Sequence, residues 1–200
     1  MVIPVYKRKP RTRKRIYDGE SDATKAIGKL ERGIELFGLT KGQFSLMELV
    51  VAVLNQTGKA DVDISVWTAA EADLRDAYLF LESGMIGRLR FLMDRSFEGR
   101  QPDYCKEMRR LFGDECIRIT RTHAKFVAIK NDQWNIAIRT SMNLNSNPRC
   151  ENFEISDDSG LCDFLCSMVD EFFKSDQSVI GAQGHIIESE FHGATPSFAN

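Results

Sequence analysis

The sequence predicts an α/β fold in which helices flank a mixed β-sheet. Segments that alternate apolar and polar residues, as half-buried strands do, occur in turn with segments whose apolar residues recur at helical spacing. The helical segments are about ten to fifteen residues long, which is typical of βαβ units. A length of 200 residues with 42% hydrophobic and 28% charged residues is ordinary for a globular protein. We therefore expect a layered α/β domain over residues 25–175, a disordered N-terminal arm over residues 1–24 and a flexible tail over residues 176–200.

The first half of the domain is predicted to begin with a short helix or linker over 25–32 and a strand over 33–38. Ser45 can cap the next helix, because Glu48 three residues later completes a capping box. That helix should end at Thr57-Gly58. The elements predicted to follow are a strand over 61–68, a helix over 69–83, a strand over 88–93 and a helix over 103–112.

A hairpin is predicted in the second half. An extended run from Thr120 is broken at residues 131–133, and an alternating run follows from Trp134. The elements predicted after it are a strand over 152–156 and a helix with one broad apolar stripe over 159–174.

The hairpin is predicted to collect polar side chains on one face. In an extended chain His123 and Lys125, two residues apart, point the same way. With a turn centred on Asp132, His123 would lie opposite Ser141, and Lys125 opposite Arg139. One face would then carry His, Lys, Ser and Asn side chains together.

These residue types suit phosphate chemistry. Lysine offers a point charge to a phosphate oxygen, and serine and asparagine add hydrogen-bond donors. Histidine can act as a nucleophile or carry a proton near neutral pH. No cluster of carboxylates lies nearby in the sequence to hold a metal, so the pattern indicates metal-free phosphoryl chemistry with no cofactor.

Three short motifs resemble the HxK…SxN…EN signature of the phospholipase D superfamily, most strongly over residues 118–156. They are His123-Ala124-Lys125, Ser141-Met142-Asn143 and Glu151-Asn152. The resemblance implies a phospholipase D-like half-domain and a phosphodiesterase, most plainly a metal-independent nuclease. It also implies a homodimer, as in the dimeric bacterial endonucleases of the family, because a second histidine from a second copy of the motif protonates the leaving group.

The resemblance also implies a role for each motif residue. His123 would attack phosphorus and form a phosphohistidine, while Lys125 and Asn143 would bind phosphate oxygens. Ser141 would support them, and Glu151 would hold the imidazole.

Two positions depart from the family pattern. Lys130 stands where the family usually has aspartate, and Thr140 where it has glycine. Lys130 and the acidic body of the chain motivate one alternative, a catalytically impaired module that binds nucleic acid. A phospholipid phosphodiesterase and a structural role with the motif as a relic are further alternatives.

The charge distribution favours a polyanionic partner, with nucleic acid as the expected one. The first fifteen residues contain no acid and carry seven cations, which leave −9 on the remainder of a chain whose net charge is −2. The predicted substrate-binding residues are Lys7, Arg8, Lys9, Arg11, Arg13, Lys14, Arg15, Arg121, Arg139 and Asn145.

The cysteines and the hydropathy point to a cytoplasmic protein. The five cysteines have no zinc-site spacing and are expected to be reduced thiols. No signal peptide is visible, and no apolar run is long enough to span a membrane. The other histidines, His185 and His192, have no partners at useful spacing and are not expected to be catalytic.

Overall fold

The computed structural model describes residues 13–16 and 21–174, which form one mixed β-sheet with helices on both faces. The strands are β1 Arg13–Ile16, β2 Glu35–Thr40, β3 Ala60–Val66, β4 Ile86–Asp94, β5 Ile117–Thr120, β6 Phe126–Lys130, β7 Asn135–Thr140 and β8 Glu151–Asp157. The α-helices are α1 Ala23–Ile27, α2 Leu46–Thr57, α3 Glu71–Glu82, α4 Ser96–Arg100, α5 Pro102–Phe112 and α6 Ser159–Lys174, and a short 3-10 turn spans Asp114–Cys116.

The strand order in the sheet is β1-β2-β8-β7-β6-β3-β4-β5. The pairs β1/β2, β3/β4 and β4/β5 are parallel, and the four central pairs are antiparallel. The carboxyl ends of β3, β4 and β5 therefore meet the start of β6 and the end of β7 at the same end of the strands. We call this end of the sheet the site edge.

The two faces of the sheet are covered unequally. The larger core lies between the sheet and helices α1 to α5, whereas α6 is the one described helix that packs on the opposite face, against β6 and β7. Strand β6 is buried on both faces, with Val127 and Ile129 in the larger core and Phe126 and Ala128 under α6. This double burial explains why the sequence of β6 is apolar at consecutive positions rather than alternating.

Two helices follow their sequence signals closely. Ser45 and Glu48 form the predicted reciprocal capping box, and Gly58, with φ of 77°, ends α2. Helix α6 has the predicted bounds and buries part of its apolar stripe against the sheet.

A buried ion cluster joins the sheet to α6. Arg90 on β4 donates from Nε and Nη2 to the two carboxylate oxygens of Asp63 on β3, at 2.7 and 2.6 Å. It also donates from Nη1 to Asp170 on α6, at 2.6 Å. Because Asp63 is only 1% exposed, the bidentate contact with Arg90 supplies the counter-charge that its carboxylate does not receive from water.

The N-terminal region departs from the predicted disorder at four residues. Arg13–Ile16 form β1, which satisfies the backbone groups along the edge of β2 by pairing in parallel with residues 35–38. Helix α1 begins at Ala23 after an Asp22 cap, so the domain starts before residue 25. For residues 1–12, 17–20 and 175–200, which lie outside the described residues, the predicted arm and tail stay predictions.

The hairpin is present, but its predicted register is wrong by one residue. Phe126 pairs with Arg139, and the carbonyl of Lys125 accepts a hydrogen bond from the N–H of Thr140 at 3.2 Å. The Asn131 side chain explains the shift, because its Oδ1 accepts from the N–H groups of Gln133 and Trp134 at 2.9 and 2.8 Å. The turn is therefore centred between residues 132 and 133 instead of on Asp132.

Candidate active site

The histidine and lysine of the first motif lie in the connection between β5 and β6, not on a strand as predicted. The expected extended run is interrupted because β5 pairs with β4 whereas β6 pairs with β3 and β7, so the chain must cross the end of the sheet. His123 and Lys125 nevertheless come together, with Lys125 Nζ 3.5 Å from His123 Nδ1 and 3.3 Å from the His123 carbonyl oxygen. His123 is exposed and Lys125 is half-buried.

The half-burial of Lys125 changes its acidity. Burial lowers the pKa of the Lys125 ammonium, and the negative charge of Glu151 opposes that shift. A cation that has lost part of its hydration, with a single carboxylate as its main counter-charge, is well suited to attract the oxygens of a phosphate.

Glu151 is held by two side chains at the start of β8. The Ser141 hydroxyl donates to Glu151 Oε2, and Asn147 Nδ2 donates to Glu151 Oε1 at 2.7 Å. Ser141 Oγ also accepts the N–H of Asn152 at 3.0 Å, so its single proton is committed to the carboxylate. In this structure, therefore, Ser141 and Asn147 orient Glu151, while the expected contact between Glu151 and the imidazole is not among its hydrogen bonds.

Asn143 is oriented by the backbone of the neighbouring strand. Its Oδ1 accepts the N–H of Trp67, the residue directly after β3, at 3.1 Å. Because the carbonyl oxygen is occupied by a backbone donor, Nδ2 is the group of the amide that can donate to a ligand. Leu144 anchors the same segment, donating to the Thr68 carbonyl at 3.3 Å and accepting from Ala70 at 2.6 Å.

The two departures from the family pattern lie outside this group. The Thr140 hydroxyl donates to the Asn152 carbonyl at 2.6 Å and accepts the Met142 N–H at 2.9 Å, so it stabilises the end of β7. Lys130 forms an ion pair with Asp163 on α6, at the far end of β6. Lys130 is five positions further along the extended chain than Lys125, a distance of roughly 17 Å.

The remaining predicted binding residues are only partly brought together. Arg121 is exposed at the same edge, two residues before His123. Arg139 instead forms an ion pair with Glu154 on the face that carries α6, so the structure does not bring it into the group. Asn145 lines a small recess with Asn147 and Glu151, and its buried Oδ1 has no hydrogen-bond partner among the described residues.

The basic arm lies mostly outside the described residues. This applies to Lys7, Arg8, Lys9 and Arg11, and to the side chain of Arg13. Lys14 and Arg15 are exposed on β1, and Lys14 Nζ donates to the Ile27 carbonyl at 3.2 Å. Since β1 is four strands from β6 in the sheet order, these two residues are roughly 19 Å across the sheet from the motif.

Sequence reasoning missed several residues at this edge. Asn147 fixes Glu151, and Trp67 lies next to His123 while Arg100 stacks on its ring. Exposed cations also occupy the loops at this edge, at Lys41, Arg95, Arg100, Arg121 and Arg149. All of these residues lie in segments that follow the carboxyl end of a strand. This position could have identified them from the sequence, because ligands bind at the carboxyl ends of the strands in α/β sheets.

Within residues 13–16 and 21–174, no group of three or more His, Cys, Asp or Glu side chains is placed to hold a metal ion. The five cysteines are all free thiols. None of the helices in the described part of the chain has the length and apolar character needed to cross a membrane.

Comparison with known proteins supports the fold. No protein-family model and no curated protein matches the sequence. Among solved structures, Nuc from Salmonella typhimurium, a phospholipase D family member, matches with a TM-score of 0.51 and 12% identity, over 70% of this chain and 93% of that chain. NucT from Helicobacter pylori matches with a TM-score of 0.48 and 12% identity, over 70% of this chain and 97% of that chain. Phosphatidylserine synthase from Haemophilus influenzae matches with a TM-score of 0.46 and 14% identity, over 68% of this chain and 36% of that chain. The predicted layered α/β architecture is therefore confirmed, and it is the fold of a phospholipase D family member.

Proposed function

We propose that this protein is a phosphodiesterase, most specifically a metal-independent nuclease that uses His123 as its nucleophile. The observation that carries the proposal is the meeting of His123 and Lys125, with Nζ 3.5 Å from Nδ1, in a phospholipase D fold. An exposed imidazole beside a half-buried ammonium is equipped to attack a phosphorus atom whose oxygens the ammonium neutralises.

The proposed reaction has two steps. A ring nitrogen of His123 attacks the phosphorus of the diester, the bond to the leaving oxygen breaks, and that oxygen takes a proton from an acid in the site. Water then attacks the phosphohistidine, losing a proton as the P–N bond breaks, and the monoester leaves. Lys125 and the Nδ2 donor of Asn143 hold the non-bridging oxygens in both steps.

Glu151 contributes to this reaction through its negative charge, and the two side chains that donate hydrogen bonds to it hold that charge in place. Its carboxylate offsets the lowering of the Lys125 pKa and so helps to keep the ammonium charged. Ser141 and Asn147 fix the carboxylate, which makes them positioning residues for Lys125.

The leaving group requires a second proton carrier, and we propose that a homodimer supplies it. Among the described residues His123 is the sole histidine; His185 and His192 belong to the tail. A two-fold axis near the edge would bring two copies of His123 to one phosphate. Light scattering of active fractions tests this, and a monomer with full activity would contradict it.

The charge at the edge favours a polyanionic substrate. The exposed loops at this edge carry five cations, whereas residues 16–200 as a whole carry a net charge of −9. The arm adds further cations, so removing residues 1–12 should weaken nucleic-acid binding and reduce the slope of log K against log salt. An unchanged slope would show that the arm takes no part in binding.

A catalytically impaired binding module is the second candidate. Its motivation is Lys130 and Thr140, but the ion pair of Lys130 at the far end of β6 and the structural hydrogen bonds of Thr140 leave the phosphate-binding donors intact. These contacts favour the enzyme.

The experiment measures hydrolysis of bis(p-nitrophenyl) phosphate and of a labelled oligonucleotide in the presence of EDTA. Wild type should be active and His123→Ala inactive, whereas the control Arg110→Ala on the exposed side of α5 should match wild type. Mass spectrometry of quenched reactions should find a phosphoryl adduct on His123. Loss of activity in EDTA with recovery in Mg²⁺, or an active His123→Ala, would overturn the proposal.

A further inference from the structure

A stacked pair of side chains, Trp67 and Arg100, lies directly beside His123. The guanidinium carbon of Arg100 is 3.6 Å from the centroid of the Trp67 ring. The ring centroids of Trp67 and His123 are 5.7 Å apart, with planes tilted by 53°. A planar cation, an indole and the imidazole thus form a continuous row at the edge of the sheet.

Hydrogen bonds to neighbouring residues hold the Trp67 and Arg100 side chains in position. Arg100 donates from Nε to the Ser96 hydroxyl at 3.2 Å, and the Ser96 N–H donates to Asp94 Oδ1 at 2.9 Å. Arg100 Nη2 also donates to the Trp67 carbonyl at 3.4 Å. Trp67 in turn donates its backbone N–H to Asn143, which sets the stack at a defined position relative to the phosphate-binding donors.

One surface of the stack remains accessible to a ligand. Arg100 is exposed and Trp67 is only half-buried. A half-buried indole at a hydrophilic edge lies outside both apolar clusters of the fold, so its packing is not explained by the core. Guanidinium planes and indole rings both stack on nucleobases.

We propose that Trp67 and Arg100 bind the base next to the scissile phosphate, so that the substrate is single-stranded nucleic acid. The inference rests on the proposed function, because it uses the phosphate position that His123 defines. A base on a flexible single strand can turn toward the stack while its phosphate stays at His123. In a duplex the same base is already paired and stacked and cannot reach it.

The alternative ligand, a phospholipid with a cationic headgroup, fits this edge poorly. An ammonium headgroup is attracted to an open aromatic face. Here Arg100 already occupies a face of Trp67, and Lys125 adds a second positive charge near His123. A cationic headgroup would meet like charges on both sides, whereas an electron-rich base meets a cation.

The test uses the fluorescence of Trp67. The chain has two tryptophans, so Trp134→Phe leaves Trp67 as the sole emitter. In that background, a short single-stranded oligonucleotide should quench the emission, and an abasic strand of equal length and charge should not. Trp67→Leu should weaken binding of the base-bearing strand by about 5- to 150-fold, the usual effect of losing one stacked base. Arg100→Lys keeps the charge but loses the plane and should also weaken binding, whereas the control Arg110→Lys should not.

The outcomes separate this inference from the proposed function, because the quenching requires no catalysis. Base-dependent quenching supports the stack even in a protein that does not cleave bis(p-nitrophenyl) phosphate. If the small diester is cleaved but abasic and base-bearing strands bind equally, the stack is overturned and the nuclease proposal stands. Equal affinity for a duplex, or competition by phosphatidylcholine vesicles where oligonucleotides fail, would also overturn it.

Discussion

Replacing Lys125 by alanine should abolish most of the phosphodiesterase activity, while replacing Lys130 should not. Lys125 is half-buried with its Nζ beside His123, so its removal deletes a charge-assisted donor to the phosphate. Loss of one such donor costs about 3–4 kcal/mol of transition-state stabilisation, or roughly 100- to 1,000-fold in kcat. Lys130 forms a half-exposed ion pair with Asp163 at the other end of β6, so its loss should cost about 0–1 kcal/mol of stability and leave kcat unchanged.

The acidity of Lys125 sharpens this comparison. Because burial lowers the pKa of Lys125, wild-type activity should fall on the alkaline side at a pH below the usual lysine range. Lys125→Ala should lack this alkaline limb, and Lys130→Ala should retain it. A folded-state pKa below the unfolded value means that the folded state binds fewer protons, so Lys125→Ala should not lower stability near neutral pH.

The assay is steady-state hydrolysis of bis(p-nitrophenyl) phosphate by both variants across a pH series, with thermal unfolding as the control for folding. Equal losses in the two variants would refute the placement of Lys125 at the phosphate. A wild-type alkaline limb that persists in Lys125→Ala would assign it to another group.

Two further predictions concern stability. Arg90→Met should destabilise the fold by about 3–5 kcal/mol in urea titrations, because it leaves the buried Asp63 charge without its bidentate partner. The control Arg88→Met removes a half-exposed arginine from the same strand, whose Nη2 lies 3.9 Å from Asp63 and beyond hydrogen-bond distance, and it should cost at most about 1 kcal/mol. Equal losses in the two variants would contradict this account. Burial raises the pKa of Asp73, whose Oδ1 has no partner among the described residues, so the stability of the fold should decrease as the pH rises above the ordinary pKa of aspartate. Asp73→Asn should remove this pH dependence and raise the melting temperature at pH 7, whereas Asp76→Asn, at an exposed position, should do neither. A pH dependence that survives in Asp73→Asn would assign it to another group.

The local signals in the sequence predicted the fold well because they depend on neighbouring residues. The capping box of Ser45 and Glu48 is complete within one turn of helix. The stripe of α6 follows directly from helical periodicity, since packing on a sheet needs a single apolar face. The alternation of β7 likewise placed Ile136 and Ile138 in the core.

The site was less predictable because it depends on which strands are neighbours. The sequence pattern predicts a strand through His123 and Lys125, but β5 and β6 pair with different partners and the chain between them crosses the end of the sheet. Trp67 and Arg100 are 33 residues apart in sequence, and their contact requires the parallel pairing of β3 with β4. Strand β1 carried no apolar alternation, since an edge strand gains its stability from backbone pairing with β2.

The two outer strands of the sheet, which are lateral edges distinct from the site edge, have a consequence for aggregation. Both edge strands, β1 and β5, are only four residues long, and their sequences RKRI and IRIT contain cations. Short, positively charged edges repel a second copy and limit sheet-to-sheet addition. Without β1 the edge would become β2, six residues long with Phe37 already 42% exposed. A chain shortened through residue 16 should therefore self-associate into insoluble material, whereas one shortened through residue 12 keeps its protective edge.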